Sequence, residues 1–371
     1  MTEIKIAAFG FRHIPPCDGS AGADKFAVEL YSRLIKLGCN VTVYNRIYNE
    51  NNLKHSTYQG IKIVNLRTVK RSGFDSLLHS LKATFHIILF NTGKIVHIHN
   101  GGNGIFAIIL RIFGKKIFIS QDGIDWKRGK WKWYAKIYLY LTSFITAYFA
   151  NKVIFDNVFA KELFEKRFCK KFDFIPYGSE VKIEKDDKPV LKKYNLNKGE
   201  YFLFVGRFIP DKGLQYLIPA FEKVQTNKKL ILVGGSPNTS MFESNLRKTE
   251  DKRIIFTGYI YGDDTNILIK NCYTYIQPSD VEGLSPVVLT VLGLGVPVLC
   301  SDIPENLYLV KDEATIFKKS SIESLIDKIN YVLENPEIIN QLALKAQKRI
   351  LKDYSWDNIA EQHFKLFNSF N

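Results

Sequence analysis

Short apolar runs alternate along this chain with longer stretches whose apolar positions recur every three or four residues. That alternation predicts parallel strands joined by helices. In the first half, Ile4 to Phe9 reads as a buried strand, Ala23 to Leu37 as a helix ended by Gly38, and Val41 to Tyr44 as the next strand. Ile95 to His99 predicts another strand. A Gly-rich turn, a helix over Ile105 to Phe113 and a strand over Lys116 to Ser120 follow it. Val153–Phe155 and Phe174–Pro176 read as short strands. The longest apolar run, Tyr134 to Ala150, is broken only by Lys136. It is marginal for a membrane span and reads as a helix that is buried or lies on a surface.

The second half repeats the logic. Strands are expected over 201–205, 229–233, 253–256, 273–276 and 297–300, with helices between them. Three helical patterns close the chain, Ser321 to Glu334, Pro336 to Lys352 and Trp356 to Phe370. The polar stretch Glu180 to Lys188 is the best linker candidate. The predicted fold is α/β, with two Rossmann-like doubly wound domains facing across a cleft at the carboxyl ends of their sheets, where α/β ligands bind. The first domain covers 1–178 and the second 179–354, and a last helix, 355–371, crosses back to the first.

The length, 371 residues, suffices for two cores of ordinary size. Charge changes the picture more. Of the formal +15, residues 1–180 hold 27 Lys+Arg against 13 Asp+Glu, while residues 181–371 hold 25 against 24. A basic first half implies an anionic neighbour: nucleic acid, a phosphorylated substrate or an acidic membrane. The nucleic-acid reading has charge alone behind it, without a recognition motif. The five cysteines are scattered, with no C-x-x-C, which fits buried thiols in a reducing cytoplasm. The early apolar strand predicts no signal peptide.

Candidate chemistry gathers at strand-to-helix corners. Gly206-Arg207-Phe208-Ile209-Pro210-Asp211-Lys212-Gly213 follows one strand and supplies two cations before a helix. Gln277-Pro278-Ser279-Asp280-Val281-Glu282-Gly283-Leu284-Ser285-Pro286 follows another and supplies a carboxylate before a helix opened by Pro286. Cations and helix N-termini hold phosphates. A carboxylate accepts hydrogen bonds from sugar hydroxyls. Together the corners suit a sugar carrying a diphosphate. The stretch from Lys127 to Lys136 interleaves five cations, Lys127, Arg128, Lys130, Lys132 and Lys136, with three aromatics, Trp131, Trp133 and Tyr134. It suits nucleobases, sugars or a lipid interface, or else is an ordinary solvated helix start. His97 and His99 alternate on one strand without a suitable third ligand, and read as a metal-free cleft wall.

These corners, in this order, resemble the family-4 retaining glycosyltransferases of the GT-B fold. The resemblance runs through Gly206-Arg207, Lys212-Gly213, Val233-Gly234-Gly235, Phe256-Thr257-Gly258-Tyr259, Pro278-Ser279, Glu282-Gly283, Gly295-Val296-Pro297-Val298 and Ser301-Asp302-Ile303-Pro304. The segment Gln121-Asp122-Gly123-Ile124-Asp125-Trp126-Lys127-Arg128-Gly129-Lys130-Trp131 resembles a bacterial subset that includes suspected rhamnosyltransferases and serves cell-surface polysaccharide assembly. The resemblance implies transfer of a sugar, with retention, from a nucleotide-diphosphate-sugar to a glycan or lipid-linked acceptor in O-antigen or capsule biosynthesis. It implies no metal and no cofactor beyond the nucleotide-sugar co-substrate, a donor-binding second domain and an acceptor-binding first domain. The expected location is cytoplasmic, on the inner face of an anionic membrane, with no nucleic-acid partner. Arg207 and Lys212 match the diphosphate pair and Glu282 the carboxylate on the donor sugar. Gly22, Gly206, Gly234, Tyr259, Gly283, Leu284 and Ser285 match donor-site positions. Asp122 takes the polar position near the reacting sugar, or is a turn-forming Asp-Gly. The family's second carboxylate, which holds the ribose, falls on Thr290, and Tyr308 replaces another acid. These two departures motivate the alternative of a non-catalytic GT-B-like subunit partnering an active transferase.

Overall fold

The computed structural model describes residues 3–15, 22–48, 56–70, 73–121, 123–124, 126, 132–179, 183, 185–236 and 241–370. The chain divides into two compact units, Met1–Gly178 with Trp356–Asn371, and Ser179–Ser355.

The first unit is built on β1 (Lys5–Phe9), β2 (Asn40–Ile47), β3 (Thr57–Tyr58), β4 (Ile61–Arg67), β5 (Ile95–His99), β6 (Lys116–Gln121), β7 (Lys152–Phe155) and β8 (Asp173–Phe174). Their order across the sheet is β3-β4-β2-β1-β5-β6-β7-β8. All neighbours are parallel except β3 and β4. Successive residues of a strand face opposite sides, so the sheet feeds two cores. Ile6 and Ala8 join Leu30, Tyr31 and Leu34 of α1 (Gly22–Lys36) and Trp356, Ile359 and Phe367 of α14 (Trp356–Asn368). Ala7 and Phe9 join Ala83 and Ile87 of α2 (Phe74–Phe90), Leu110 of α3 (Phe106–Ile112) and Ile145 of α4 (Trp133–Phe149). The helix α5 (Val158–Phe168) is capped by Asn157, whose side chain accepts from the amides of Phe159 and Ala160.

The second unit holds β9 (Tyr201–Arg207), β10 (Lys229–Gly235), β11 (Ile254–Gly258), β12 (Thr274–Gln277), β13 (Val298–Ser301) and β14 (Thr315–Phe317). Their order is β11-β10-β9-β12-β13-β14, all parallel. The connecting helices are α6 (Lys188–Lys193), α7 (Leu214–Lys223), α8 (Met241–Leu246), α9 (Asp263–Asn271), α10 (Pro286–Gly293) and α11 (Pro304–Val310). The unit closes with α12 (Ile322–Glu334) and α13 (Pro336–Asp353). The strand order reverses between β9 and β12, and that switch point is where a doubly wound sheet opens a crevice for ligand. The linker candidate Glu180 to Lys188 meets the structure at α6, which begins at Lys188; Glu180, Val181, Lys182 and Glu184 lie outside the described residues.

Several elements escape the apolar pattern. The hairpin β3–β4 turns on Gln59-Gly60, both at positive φ (48° and 81°), the geometry of a two-residue hairpin. With only two residues, β3 shows no alternation. β14, α2 and α5 also lie outside the sequence-based expectation. Two readings are corrected. Cys39, Cys272 and Cys300 are buried, but Cys169 is exposed, at the left-handed residue that ends α5. His97 is fully buried and forms no cleft wall, while His99 lines a small pocket of the first unit with Phe26, Gln121 and His363. His97 Nδ1 and His99 Nε2 meet the Tyr31 hydroxyl at 2.9 Å and 2.6 Å respectively, and His97 Nε2 meets Ser120 Oγ at 2.8 Å. His363 of α14 lies beside His97, with ring centroids 6.0 Å apart.

Burial holds these imidazoles neutral. It lowers His99 to about 3 and His363 to about 4 from the ordinary 6.5, and lowers His97 strongly as well, with neighbouring imidazoles adding to the shift in His97 and His99. The unfolded chain therefore binds more protons than the folded chain once the pH drops below 6.5. Stability present above that value is lost as the pH falls towards the folded values. Each histidine contributes up to about 1.4 kcal/mol per pH unit within this window. Melting of the first unit, followed from about pH 7 to about pH 4, is expected to show this slope, and His363→Leu to reduce it. An identical slope in the variant would overturn the assignment.

Candidate active site

At the switch point of the second sheet, two loops are tied together through backbone and side chain. After β9 a single 3-10 turn, Pro210–Lys212, leads into α7 through Gly213 at φ 73°. A Cβ on Gly213 would collide with the carbonyl of Pro278, so the close approach of the loops needs glycine here. Asp211 O accepts from the amides of Asp280 (2.9 Å) and Val281 (3.4 Å) in the loop after β12.

Across this seam Lys212 Nζ donates to Glu282 Oε1. The same oxygen accepts from Gln277 Nε2 at 2.5 Å and Ser279 Oγ at 2.7 Å. Gln277 Oε1 in turn accepts from the Tyr275 hydroxyl at 2.7 Å. Burial, and then the charge of Glu282, push the Tyr275 phenol far up, so it stays a neutral donor. The loop is pinned from behind: Ser301 Oγ donates to Ser279 O at 2.5 Å, and Ser320 Oγ to Asp280 Oδ1 at 2.8 Å. The Lys212 and Glu282 side chains are only 18% and 7% exposed. Cation and carboxylate are thus fixed in position.

The remaining second-unit residues line the same carboxyl edge. Arg207 ends β9 in register with Gly235 and is exposed, without an ion pair to a carboxylate among the described residues. Gly206 pairs in register with Gly234, which sits at φ 136° with no room for a side chain against the Gly206 carbonyl. The Tyr259 hydroxyl donates to Gly235 O at 2.8 Å, and its ring lies parallel to that of Tyr261, with centroids 6.0 Å apart. Burial, then Tyr261 and Glu243, raise the Tyr259 phenol, and Arg207 opposes the shift. Gly283 and the buried Leu284 lead into Ser285, which caps α10 by accepting from Val288 N, with Pro286 at its first position. Thr290 lies one turn into α10 and spends its hydroxyl proton on Pro286 O at 3.0 Å.

In the first unit Gly22 opens α1, exposed and with open space around it. Trp133 opens α4, 73% exposed. Asp122, Asp125, Lys127, Arg128, Lys130 and Trp131 lie outside the described residues. Tyr275, Gln277 and Ser279 fall in the stretch that the sequence singles out, but it assigns them no role in the site. The available signal was a polar Gln277 ending a buried strand, with Ser279 two residues on.

Residues 186–349 match the family model described as glycosyl transferases group 1, and residues 82–180 a model described as a domain of unknown function, DUF1972. The chain is 26% identical to O-antigen chain mannosyltransferase B of Escherichia coli over 47% of each chain. It is 24% identical to the capsular polysaccharide biosynthesis glycosyltransferase CapM of Staphylococcus aureus over 59% of each. These matches span about half the length of the curated relatives. The structure of Anabaena HepE in complex with UDP and glucose is similar with a TM-score of 0.78, at 16% identity, over 98% of this chain and 100% of that one. The fold is the two-domain GT-B fold, and residues 186–349 within it are similar to the group 1 glycosyl transferases.

Proposed function

We propose that this protein is a retaining glycosyltransferase that moves a sugar from a nucleotide-diphosphate-sugar to a glycan or lipid-linked acceptor in O-antigen or capsule assembly. The observation that carries this reading is the Lys212–Glu282 pair at the switch point of the second sheet, beside the exposed Arg207. Negative charge grows on the diphosphate as the sugar–phosphate bond breaks. Cations fixed there stabilise the transition state more than the ground state. Glu282, already held by Gln277 and Ser279, orients Lys212 before the donor arrives and accepts from donor-sugar hydroxyls afterwards. With two side-chain cations on the diphosphate, the reaction as proposed needs no metal. The donor site belongs to the second unit and the acceptor site to the first, where Asp122 either supports the developing oxocarbenium or takes the acceptor proton. The O-antigen and capsule transferases among the relatives, and the UDP and glucose in the HepE complex, support the reading. A dTDP-rhamnose donor rests on the resemblance of the Gln121–Trp131 segment.

The non-catalytic alternative rests on Thr290. Its proton is committed to Pro286 O, so toward a ribose hydroxyl it acts only as a neutral acceptor. That gives up roughly 1 kcal/mol against a carboxylate. Ribose lies away from the breaking bond, so the loss falls on donor binding more than on turnover. Purified protein is expected to turn over a nucleotide-sugar with a high KM, and nucleoside diphosphates to raise its melting temperature. Thr290→Glu is expected to lower that KM several-fold. Steady-state kinetics and a melting panel of uridine, thymidine, guanosine and adenosine diphosphates check both. Absence of turnover and of any thermal shift would favour the subunit reading.

A further inference from the structure

Every exposed residue of α4 is apolar or aromatic, and the one charge of this helix, Lys136, is half-buried. Five of the exposed residues, Tyr134, Ile137, Leu141, Phe144 and Tyr148, are each between 42% and 57% exposed. They follow one another at intervals of three, four, three and four residues. That strict alternation is the seam by which one helix packs along another, and it is narrower than the stripe of a helix facing a globular core. The other side of α4 is already used, since Ile145 and Ala147 pack into cores of the first unit.

The seam reads nearly the same from either end. Leu141 is its middle, Tyr134 and Tyr148 stand seven residues to either side, and Ile137 and Phe144 lie four and three away. Two copies of α4 running antiparallel set Leu141 against itself, Ile137 near Phe144 and Tyr134 near Tyr148. This is the self-complementarity that a two-fold interface requires. The rings are already ordered: Phe144 and Tyr148 are 4.6 Å apart, and the Tyr148 hydroxyl donates to Phe168 O at 3.1 Å. Little freedom is therefore left to lose on association. Lys136 lies five residues from the centre, so antiparallel pairing keeps the two copies of this cation about 15 Å apart along the axis. Beside the seam, α5 carries both signs, with Glu162 and Glu165 among Lys161, Lys166 and Arg167.

We infer that this chain pairs with a second copy of itself through α4. Trp133 and Phe149, at the two ends of α4, are exposed as well. So are Ile112 and Phe113 at the end of α3, where Arg111 Nη1 donates to Phe149 O at 2.9 Å. With the seam they offer on the order of 1,000 Å² of apolar surface, and a standard interface takes about 800 Å² from each partner. A lipid bilayer is the poorer occupant. A helix lying in one presents a wide apolar half and a polar face rich in cations, whereas α4 holds a single lysine and packs its other side into protein. No helix among the described residues is long and apolar enough to cross a membrane. The inference is independent of the transferase reading, since pairing needs neither donor nor turnover.

Sedimentation velocity of the full chain, without donor or lipid, tests it. Wild type is expected to be a dimer at micromolar concentration. Leu141→Asp and Leu141→Lys each set like charges against each other at the two-fold axis. Each is expected to self-associate about a hundredfold more weakly, with an unchanged circular dichroism spectrum because Leu141 is exposed. Mixed in equal amounts, the two variants are expected to pair again, since opposite charges then meet. If either misfolds, Leu141→Cys in a Cys17→Ser/Cys169→Ser background is expected to cross-link to a dimer under mild oxidation, and Met241→Cys in the same background to stay monomeric. Wild type that is monomeric at tens of micromolar, a dimer that both charged variants leave intact, or a mixture that stays monomeric would each overturn the inference. So would a wild-type monomer that floats with lipid vesicles, which would assign the face to a membrane.

Discussion

Lys212→Ala and Arg207→Ala are each expected to lower turnover of a nucleotide-sugar about a hundredfold, equivalent to about 3 kcal/mol of transition-state stabilisation. Both cations stand at the carboxyl edge of the second sheet, but their surroundings differ. Arg207 is exposed, so its loss is expected to leave stability unchanged. Lys212 is bound to a Glu282 carboxylate that is nearly buried. Removing it leaves Glu282 with Gln277 and Ser279 alone, and a modest fall in melting temperature is expected beside the loss of turnover. The backbone bonds from Asp280 and Val281 to Asp211 O keep the two loops together, so the fold is expected to survive. Lys212→Arg is expected to recover part of the rate, since charge is what the leaving group requires. Steady-state kinetics with urea titrations check all three proteins, and wild-type turnover in either alanine variant would remove the diphosphate role.

Trp356→Ala is expected to cost the first unit about 3–5 kcal/mol, the range for emptying a large buried aromatic site. The indole is 3% exposed and lies 5.6 Å from the Phe26 ring. It opens α14, the segment through which the chain's end joins the first unit, where Ile359 and Phe367 complete the core against α1. Hydrogen exchange is the measurement of choice, because a two-unit protein need not unfold in one step. Amides of α1 and α14 should lose protection together, while those of the second sheet keep theirs. Protection in α14 that is unchanged would show that the helix is held elsewhere.

The legibility of the sequence varied for identifiable reasons. Buried parallel strands such as Tyr201–Arg207 and Lys229–Gly235 carry near-continuous apolar runs and were read within two residues. α2 was missed because its outward residues Leu81, Phe85 and Leu89 are as apolar as its inward Ala83 and Ile87. An apolar face on both sides erases the periodicity by which a helix is recognised. His97 misled for a related cause. Its residue type suggests a polar surface, yet Tyr31 and Ser120 satisfy its ring inside the core.

For the site, the sequence by itself determined which chemical groups stand at strand ends: two cations after one strand, a carboxylate after another, and a Ser-Pro helix start beyond it. These follow from local rules, since strand ends, turns and caps are written in consecutive residues. Only the tertiary structure decided that the two strands are neighbours. β9 and β12 are separated by two further strands in the chain but lie side by side in the sheet. That reversal lets Lys212 reach Glu282, seventy residues on, at the oxygen that Gln277 and Ser279 of the same loop already hold. Pairing across such a distance depends on sheet order, which arises from the packing of all the helices at once rather than from any local run of residues.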